Sequence, residues 1–174
     1  MSRIAYVNGH YFPHGAASVH IEDRGYQFAD GVYEVIAVRG GGLIDSEWHM
    51  ERLKRSLSEL QIDMPMSVAA LCVVLRETVR RNRVSTGIVY LQVSRGVARR
   101  DHPFPNPAVR PALVVTARRT PPVAAKVIDE GVAVISQPDI RWQRCDIKAI
   151  ALLPNVLVKQ AVRSQGAYEA WQVD

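Results

Sequence analysis

The chain has 174 residues, of which 48% are hydrophobic and 22% are charged, and these proportions are typical of a folded soluble protein. This length provides one well-packed core, or one domain and part of a second. No apolar run reaches the roughly 18 residues that a membrane span needs, and the first 20 residues do not have the pattern of a signal peptide. We therefore expect a cytoplasmic protein that does not bind a membrane.

The formal net charge of +5 comes mainly from arginine, which provides 18 of the 22 basic residues. The arginine pairs at 80–81, 99–100 and 118–119 are dispersed and few aromatic residues lie between them, so nucleic-acid binding is not predicted. A basic surface that faces anionic small molecules fits the same composition. Cys72 and Cys145 belong to no cluster with metal-ligand spacing, so no metal site is predicted either.

The first predicted elements are strands. Residues Ile4–Tyr11 form a hairpin around Asn8-Gly9, a dipeptide that favours a tight turn. Residues Gly31–Arg39 alternate and are rich in β-branched residues, which predicts a strand. The glycines at 40–42 predict a turn into a return strand that starts at Leu43-Ile44.

Two helices and two more strands are predicted next. Residues 46–62 carry one apolar stripe at helical spacing, and residues 67–82 carry another that begins at a Ser67 cap. Strands follow at Ile88–Ser94 and Ala112–Ala117. Residues 118–126 contain two prolines and no periodicity, which is typical of an interdomain linker.

The last predicted elements belong to a second domain. They are a strand at Val132–Ser136, a helix from Pro154 to about Gly166, and a strand at Tyr168–Val173. The order of the elements indicates an α+β protein. We predict a small α+β domain over residues 1–117, a linker over 118–126 and the incomplete start of a larger domain over 127–174.

Among the four lysines, Lys148 has the most apolar sequence neighbourhood. Ile147 precedes it and the run from Ala149 to Leu153 follows it, whereas the other lysines lie on a helix face, in the linker and near a helix end. Burial disfavours the ammonium form, and a nucleophilic amine must be uncharged. From these residues alone, a lysine whose stem covers apolar surface while its amine reaches water is the simpler interpretation.

Several segments at consistent spacing carry a family pattern. They are residues 22–35 (EDRGYQFADGVYEV), 49–53 (HMERL), 94–96 (SRG), 144–148 (RCDIK), 152–153 (LL) and 158–160 (VKQ). In these segments, and over its whole length, the chain resembles the D-amino-acid aminotransferases, which are pyridoxal-phosphate enzymes.

The resemblance implies a pyridoxal-phosphate fold of type IV, in which a small α+β domain precedes a cofactor-binding pseudo-barrel domain and the cofactor lies in the cleft between them. It also implies a homodimer. Lys148 would form the covalent link to the cofactor and then move the Cα proton of the substrate. Arg52 would hold the cofactor phosphate through paired charge-assisted hydrogen bonds. Without the resemblance, Arg52 is interpreted as a solvated helix charge.

Four further residues would bind the substrate. Tyr33 would hydrogen-bond the substrate carboxylate, and Val35, on the same strand face, would form a wall of the pocket. Arg100 and His102 would reach across the dimer interface and trap the carboxylate. On the residues alone, Tyr33 is interpreted as a core aromatic and the Arg100–His102 loop as a polar surface loop. Asp101 departs from the family pattern and would either tighten the loop or weaken its attraction for an anion.

The predicted reaction is amino transfer between a D-amino acid, such as D-alanine, and a 2-oxo acid. Branched-chain aminotransferases and aminodeoxychorismate lyases have the same fold but place other residues at positions 100 and 102. A non-catalytic fragment is a third alternative, because the sequence stops inside a predicted strand. Family members continue with an acid for the pyridine nitrogen and further phosphate-binding groups. We therefore expect the 174 residues alone to bind the cofactor weakly and to show little transaminase activity.

Overall fold

A computed structural model of the protein describes residues 3–173. The chain divides into two compact units. The first contains the residues up to Pro121 and also the short segment Asp146–Ile150, and the second contains Pro122–Cys145 and the residues from Ala151 onward. The chain therefore returns to the first unit for five residues before it continues in the second.

The first unit is built on a six-stranded antiparallel sheet. Its strands are β1 (Ile4–Val7), β2 (His10–Pro13), β3 (Gly31–Arg39), β4 (Gly42–Leu43), β5 (Thr86–Ser94) and β6 (Ala112–Arg119). They lie in the order β2-β1-β6-β5-β3-β4. The two nine-residue strands β3 and β5 pair over their full length, from Gly31 opposite Ser94 to Arg39 opposite Thr86.

Three helices accompany this sheet, α1 (Arg24–Phe28), α2 (Ser46–Glu59) and α3 (Val68–Arg81). The helices α2 and α3 cover one face of the sheet because each presents an apolar stripe to it. The Ser67 hydroxyl accepts a hydrogen bond from the Ala70 amide at 3.3 Å and so caps α3. The core between sheet and helices includes Val32, Ile36, Met50, Leu53, Leu57, Leu71, Leu75, Val89, Leu91, Val93, Leu113 and Val115.

The second unit is smaller. It consists of α4 (Ala125–Glu130), β7 (Val134–Pro138), α5 (Leu153–Ser164) and β8 (Glu169–Val173), and its two strands pair in parallel. Pro154 lies in the first turn of α5, as its fixed φ favours. Within residues 3–173, no helix has the length and apolar character that crossing a bilayer requires.

The α+β class that the sequence predicts is confirmed, and so are all eight strands and the three long helices. The predicted turn at Asn8-Gly9 is also confirmed, since both residues have positive φ. Most element boundaries differ from the predicted ones by one to three residues. For example, the helix α2 ends at Glu59, β6 continues to Arg119 and β7 runs over Val134–Pro138. In addition, Ala125 starts a helix inside the predicted linker.

The short helices α1 and α4 were not predicted, because five or six residues are too few to display a helical period. Ala29, which has the left-handed αL conformation, ends α1. Alanine, unlike glycine or asparagine, gives no sign in a sequence that a helix ends in this way. The division into domains at 117 and 126 stays a prediction.

The core between α3 and the sheet can be tested on the helix itself. Leu75 is fully buried, whereas Val73 on the same helix is 62% exposed. We expect Leu75→Ala to lower the free energy of unfolding by about 2–5 kcal/mol, because it leaves a cavity in a packed core. Val73→Ala should change it by no more than about 0.5 kcal/mol. Urea unfolding of both variants measures this, and equal losses would show that α3 does not pack through the Leu75 face.

Candidate active site

Lys148 lies at the edge of β3, where the segment 147–150 acts as a short extra antiparallel partner of the strand. The Tyr33 amide donates to the Lys148 carbonyl at 3.1 Å, and the Ile150 amide donates to the Gly31 carbonyl at 3.1 Å. The Lys148 amide donates in turn to the hydroxyl of Ser56 on α2, at 3.4 Å. Hydrogen bonds to β3 and to α2 therefore fix the backbone position of Lys148, from which its side chain extends.

The side chain of Lys148 is half-buried, between a buried Ile147 and a buried Ala149. Its Nζ lies 4.2 Å from the centroid of the Tyr33 ring. A cation within about 6 Å of an aromatic face is attracted to it, so the ring holds the amine on the outer face of β3. The apolar neighbourhood in the sequence thus corresponds to buried flanking residues with the lysine between them.

Tyr33 and Val35 lie on the face of β3 that points away from the core, as strand alternation requires. The Tyr33 ring stacks on Tyr90 of β5, with centroids 5.7 Å apart, and Tyr90 is the cross-strand partner of Val35. Burial and, second, the neighbouring Tyr33 raise the pKa of Tyr90 to about 12. Its hydroxyl therefore stays protonated at neutral pH and donates to Gln92 at 2.7 Å. We call Lys148, Tyr33, Val35 and Tyr90 the lysine cluster.

Glu34 points to the opposite face of β3 and is fully buried. Both its oxygens accept from Arg52, whose Nε and Nη2 donate at 2.7 Å each. His49 Nδ1 lies 2.8 Å from the same carboxylate, and because a carboxylate only accepts, this nitrogen carries the proton in that bond. The hydrogen bond to Glu34, more than any other cause, raises the pKa of Arg52, which keeps the guanidinium charged. We call these three residues the glutamate network.

Arg52 is therefore not an ordinary solvated helix charge. Its side chain is 48% exposed while it neutralises a buried acid. Its Nη1 makes no hydrogen bond within residues 3–173, so one edge of the guanidinium remains available to a ligand. The fork geometry of arginine suits a phosphate at that edge.

A cavity of about 750 Å³ opens beside the glutamate network, and its volume falls in the range of small-molecule sites. Arg55, one turn after Arg52 on α2, also faces it and pairs with Asp146 at 2.7 Å. The lining residues are Asp45, Trp48, His49, Glu51, Arg52 and Arg55.

Arg100 and His102 lie together, but at a different place. Both are exposed, and both contact the Phe28 ring at the end of α1, with distances to its centroid of 5.2 Å from Arg100 and 5.5 Å from His102. The Asp101 carboxylate accepts from the His102 amide at 2.8 Å. The Asp101 side chain therefore restrains the loop at the next residue, while its effect on the attraction for an anion stays a prediction.

The structure thus brings the predicted residues together in three groups. Lys148, Tyr33 and Val35 belong to the lysine cluster, Arg52 belongs to the glutamate network, and Arg100 with His102 lies around Phe28. Within residues 3–173, no hydrogen bond or ring contact joins the Phe28 group to either of the other two.

The sequence interpretation missed Glu34, His49 and Tyr90. A signal for Glu34 was present, since its position alternates with Val32 and Ile36 and a strand buries such residues on one face. An acid on that face needs a cationic partner. The partner could not be chosen from the sequence, because 18 arginines are available.

These residues fit the cofactor that the resemblance implies, pyridoxal phosphate. The half-buried Lys148 provides the primary amine that covalent attachment to an aldehyde requires, and the Tyr33 ring lies beside that amine. Arg52, a charged arginine with one unoccupied edge, lines a cavity. It lies on α2, the helix whose Ser56 hydroxyl contacts the Lys148 backbone. Lys148 would hold the carbonyl carbon of the cofactor and Arg52 its phosphate.

The glutamate network gives a direct test of stability. We expect Glu34→Gln to lower the free energy of unfolding by about 3 kcal/mol, because it removes the buried carboxylate charge that pairs with Arg52 and accepts a hydrogen bond from His49. The matched control is Glu51→Gln, an exposed residue next to Arg52 on α2, which should change stability by about 0.5 kcal/mol or less. Denaturant unfolding compares the two, and equal stability would mean that the desolvation of Glu34 cancels its attraction for Arg52.

Comparison with known proteins identifies relatives of this chain. The profile of the amino-transferase class IV family matches residues 31–174. D-Alanine aminotransferase from Staphylococcus haemolyticus is 40% identical over 167 residues, which cover 96% of this chain and 59% of the relative. The enzyme of that name from Listeria monocytogenes serotype 4b is 40% identical over 165 residues, covering 94% and 57%. The chain therefore spans less than two thirds of the length of these relatives.

Solved structures share the fold at lower sequence identity. Branched-chain amino acid aminotransferase from Escherichia coli superposes with a TM-score of 0.85 at 18% identity, over 100% of this chain and 60% of that one. The branched-chain aminotransferase from Thermoproteus uzoniensis gives 0.79 at 20%, over 100% and 60%. The 4-amino-4-deoxychorismate lyase from Pseudomonas aeruginosa gives 0.75 at 24%, over 98% and 61%. The family profile confirms what the sequence segments indicated: the chain belongs to the class IV aminotransferase family.

Proposed function

We propose that the chain serves pyridoxal-phosphate-dependent amino transfer between a D-amino acid, such as D-alanine, and a 2-oxo acid. Class IV aminotransferases use pyridoxal phosphate. The observation that carries the proposal is the lysine cluster, in which Lys148 Nζ lies 4.2 Å from the Tyr33 ring centroid. Identity of about 40% to D-alanine aminotransferases supports the choice of substrate class. The neighbours in structure are less than 25% identical and support the fold alone.

Lys148 would act as the base. Pyridoxal phosphate, when bound, supplies the electron sink for the charge left on Cα after proton removal. The Nζ of Lys148 would take the Cα proton of the amino acid and hold it for the second proton transfer of the half-reaction. Its backbone contacts to Tyr33 and Ser56 keep the amine within reach for both transfers. Ping-pong kinetics are expected, since the amino group is held by the enzyme between the two half-reactions.

Arg52 would hold the phosphate with the guanidinium edge that Glu34 does not occupy. Glu34 orients the guanidinium through two hydrogen bonds, so little side-chain freedom is lost when an anion binds. The cavity beside it also receives Arg55. Asp45 and Glu51 line the same cavity, so guanidinium donors, not a net positive charge, would favour a phosphate here.

Tyr33, Arg100 and His102 would bind the substrate carboxylate, while Val35 and Tyr90 wall the pocket. Arg100 and His102 contact the same ring, Phe28, so the two can act on one anion. Since no contact within residues 3–173 joins them to the lysine cluster, we propose that they act on the site of a second copy in a homodimer.

The assignment of Lys148 is tested with Lys148→Ala. This variant should lose the visible absorbance that appears when pyridoxal phosphate is joined to the wild-type chain, together with any D-alanine transamination. The reason is that it lacks the amine that binds the cofactor carbonyl carbon. Lys54→Ala, which changes an exposed lysine of α2, is the matched control and should keep the absorbance.

Borohydride reduction provides a second readout that needs no turnover. Reduction of the wild-type chain with the cofactor, followed by peptide mapping, should label Lys148. Labelling of Lys54, Lys126 or Lys159 in its place would contradict the assignment.

In preparations that turn over D-alanine, Arg100→Ala should raise the KM for this substrate by roughly 30- to 150-fold, because a charge-assisted contact to a carboxylate is lost. Cofactor binding should stay unchanged. Arg99→Ala is the matched control, since Arg99 is the exposed neighbour in the same loop. Steady-state kinetics with D- and with L-alanine measure both variants, and a preference for the L form would instead support a branched-chain type of enzyme.

The homodimer is tested by mixing two defective variants. A heterodimer of Arg100→Ala with Lys148→Ala should regain one working site if Arg100 serves the lysine of the other copy. No recovery in a mixture that contains heterodimers would indicate that both residues act within one subunit.

A further inference from the structure

Arg24 is a buried arginine next to an exposed loop. Only 3% of the residue is exposed, whereas residues 99–104 of the loop are all exposed. Its Nη1 donates to the Asp101 carbonyl at 2.6 Å and its Nη2 to the His102 carbonyl at 3.2 Å. A single buried side chain thus holds two consecutive peptide groups of a loop that has no regular secondary structure.

Asp30 fixes Arg24 in this position. Its Oδ2 accepts from Arg24 Nε at 2.8 Å and from Arg95 Nε at 2.7 Å. The two arginines then diverge in their contacts. Arg95 donates to the carbonyls of Leu60 and Gln61 after α2, and its guanidinium carbon lies 3.6 Å from the centroid of the Phe104 ring in the loop. Of the two arginines, Arg24 alone donates to carbonyls of the loop.

The Phe28 ring completes the arrangement. The guanidinium carbon of Arg24 lies 4.9 Å from its centroid and that of Arg100 lies 5.2 Å from it. The His102 ring lies 5.5 Å from the same centroid. The side chains of Arg24, Arg100 and His102 therefore meet on the Phe28 ring. Arg24 also holds the backbone that joins the other two.

We propose that Arg24 is a positioning residue for Arg100 and His102, which fixes the backbone between them so that both side chains are directed at one carboxylate. This inference rests on the proposed role of Arg100 and His102 as the carboxylate site. Arg24 itself is too buried to contact the substrate. It acts by lowering the number of conformations that the loop visits before the substrate binds.

The fork of the guanidinium is what this role requires. Arginine presents donors on Nε, Nη1 and Nη2 in one plane, and here they serve Asp30, Asp101 and His102 at once. A lysine at this position could keep the charge pair with Asp30 but could not bridge both carbonyls. Arg24→Lys therefore separates the positioning role from the charge.

Opening of the loop can be measured with trypsin, because trypsin cleaves after Arg99 and Arg100 in this loop. Cleavage requires local opening of the loop, and its rate follows the open population when opening is fast. In the 174-residue chain, Arg24→Gln should raise the rate of cleavage after Arg99 and Arg100 by roughly tenfold or more, since hydrogen bonds to a charged donor are lost. Arg24→Lys, which retains the pair with Asp30, should show most of this rise. It also serves if Arg24→Gln does not fold.

Arg95→Lys is the matched control for Arg24→Lys, because it too removes one guanidinium from Asp30 while it keeps a cation beside the Phe104 ring of the loop. It should leave the cleavage rate after Arg99 and Arg100 within about twofold of wild type, a difference of less than ~0.5 kcal/mol in opening. In active preparations, both Arg24 variants should raise the KM for D-alanine more than they lower kcat.

Two results would overturn the inference: an unchanged cleavage rate in a folded Arg24 variant, or a rise in Arg95→Lys equal to that in Arg24→Lys, which would mean general loosening around Asp30. Failure of the proposed function looks different. An Arg100→Ala variant with unchanged KM would remove the carboxylate role, while the anchoring by Arg24 is decided by the cleavage rate alone.

Discussion

The site depends first on a few backbone hydrogen bonds at the edge of β3. The segment 147–150 occupies a part of that edge that β4 leaves unpaired, and it brings Lys148 beside Tyr33. Because a one-residue slip in strand pairing reverses the face of every side chain, the register of this short pairing decides whether Lys148 meets Tyr33 or is directed into the core. The Ser56 hydroxyl on α2 accepts from the Lys148 amide, so contacts to both the helix and the strand stabilise this register of the segment 147–150.

The side chains of β3 alternate between two environments. Glu34 and Ile36 face the core, and Tyr33 and Val35 face outward. A buried carboxylate is unfavourable unless it is paired, and the pairing with Arg52 and His49 ties α2 to the strand through charge rather than packing alone. The same pairing leaves Arg52 oriented with one free edge. An interaction that stabilises the fold therefore also prepares the group proposed to hold a phosphate.

Much of the fold followed from periodicity, since alternation defines β3, β5 and β6 and the apolar stripes define α2 and α3. Lys148 could be singled out because its flanking residues are apolar, and its immediate neighbours Ile147 and Ala149 are indeed buried, whereas Leu153 at the end of the run is exposed. What could not be predicted depends on contacts distant in sequence. Nothing local indicates that Arg52 meets Glu34, or that Arg24 holds the carbonyls of Asp101 and His102. Tertiary structure determines which of the many arginines makes each pairing, and the spacing of residues in the sequence does not indicate which one it is.

The return of the chain to the first unit for residues 146–150 affects when the site can form during synthesis. Most of the first unit is complete at Pro121, yet its lysine is supplied by a segment translated later. Domains generally fold as units as they leave the ribosome, so β3 would wait with part of its edge unpaired until Lys148 emerges. Contacts so distant along the chain also form slowly, because the intervening loop must close first. The proposed attachment of a cofactor to Lys148 would require this last pairing, and it would therefore be a late event in the maturation of the chain.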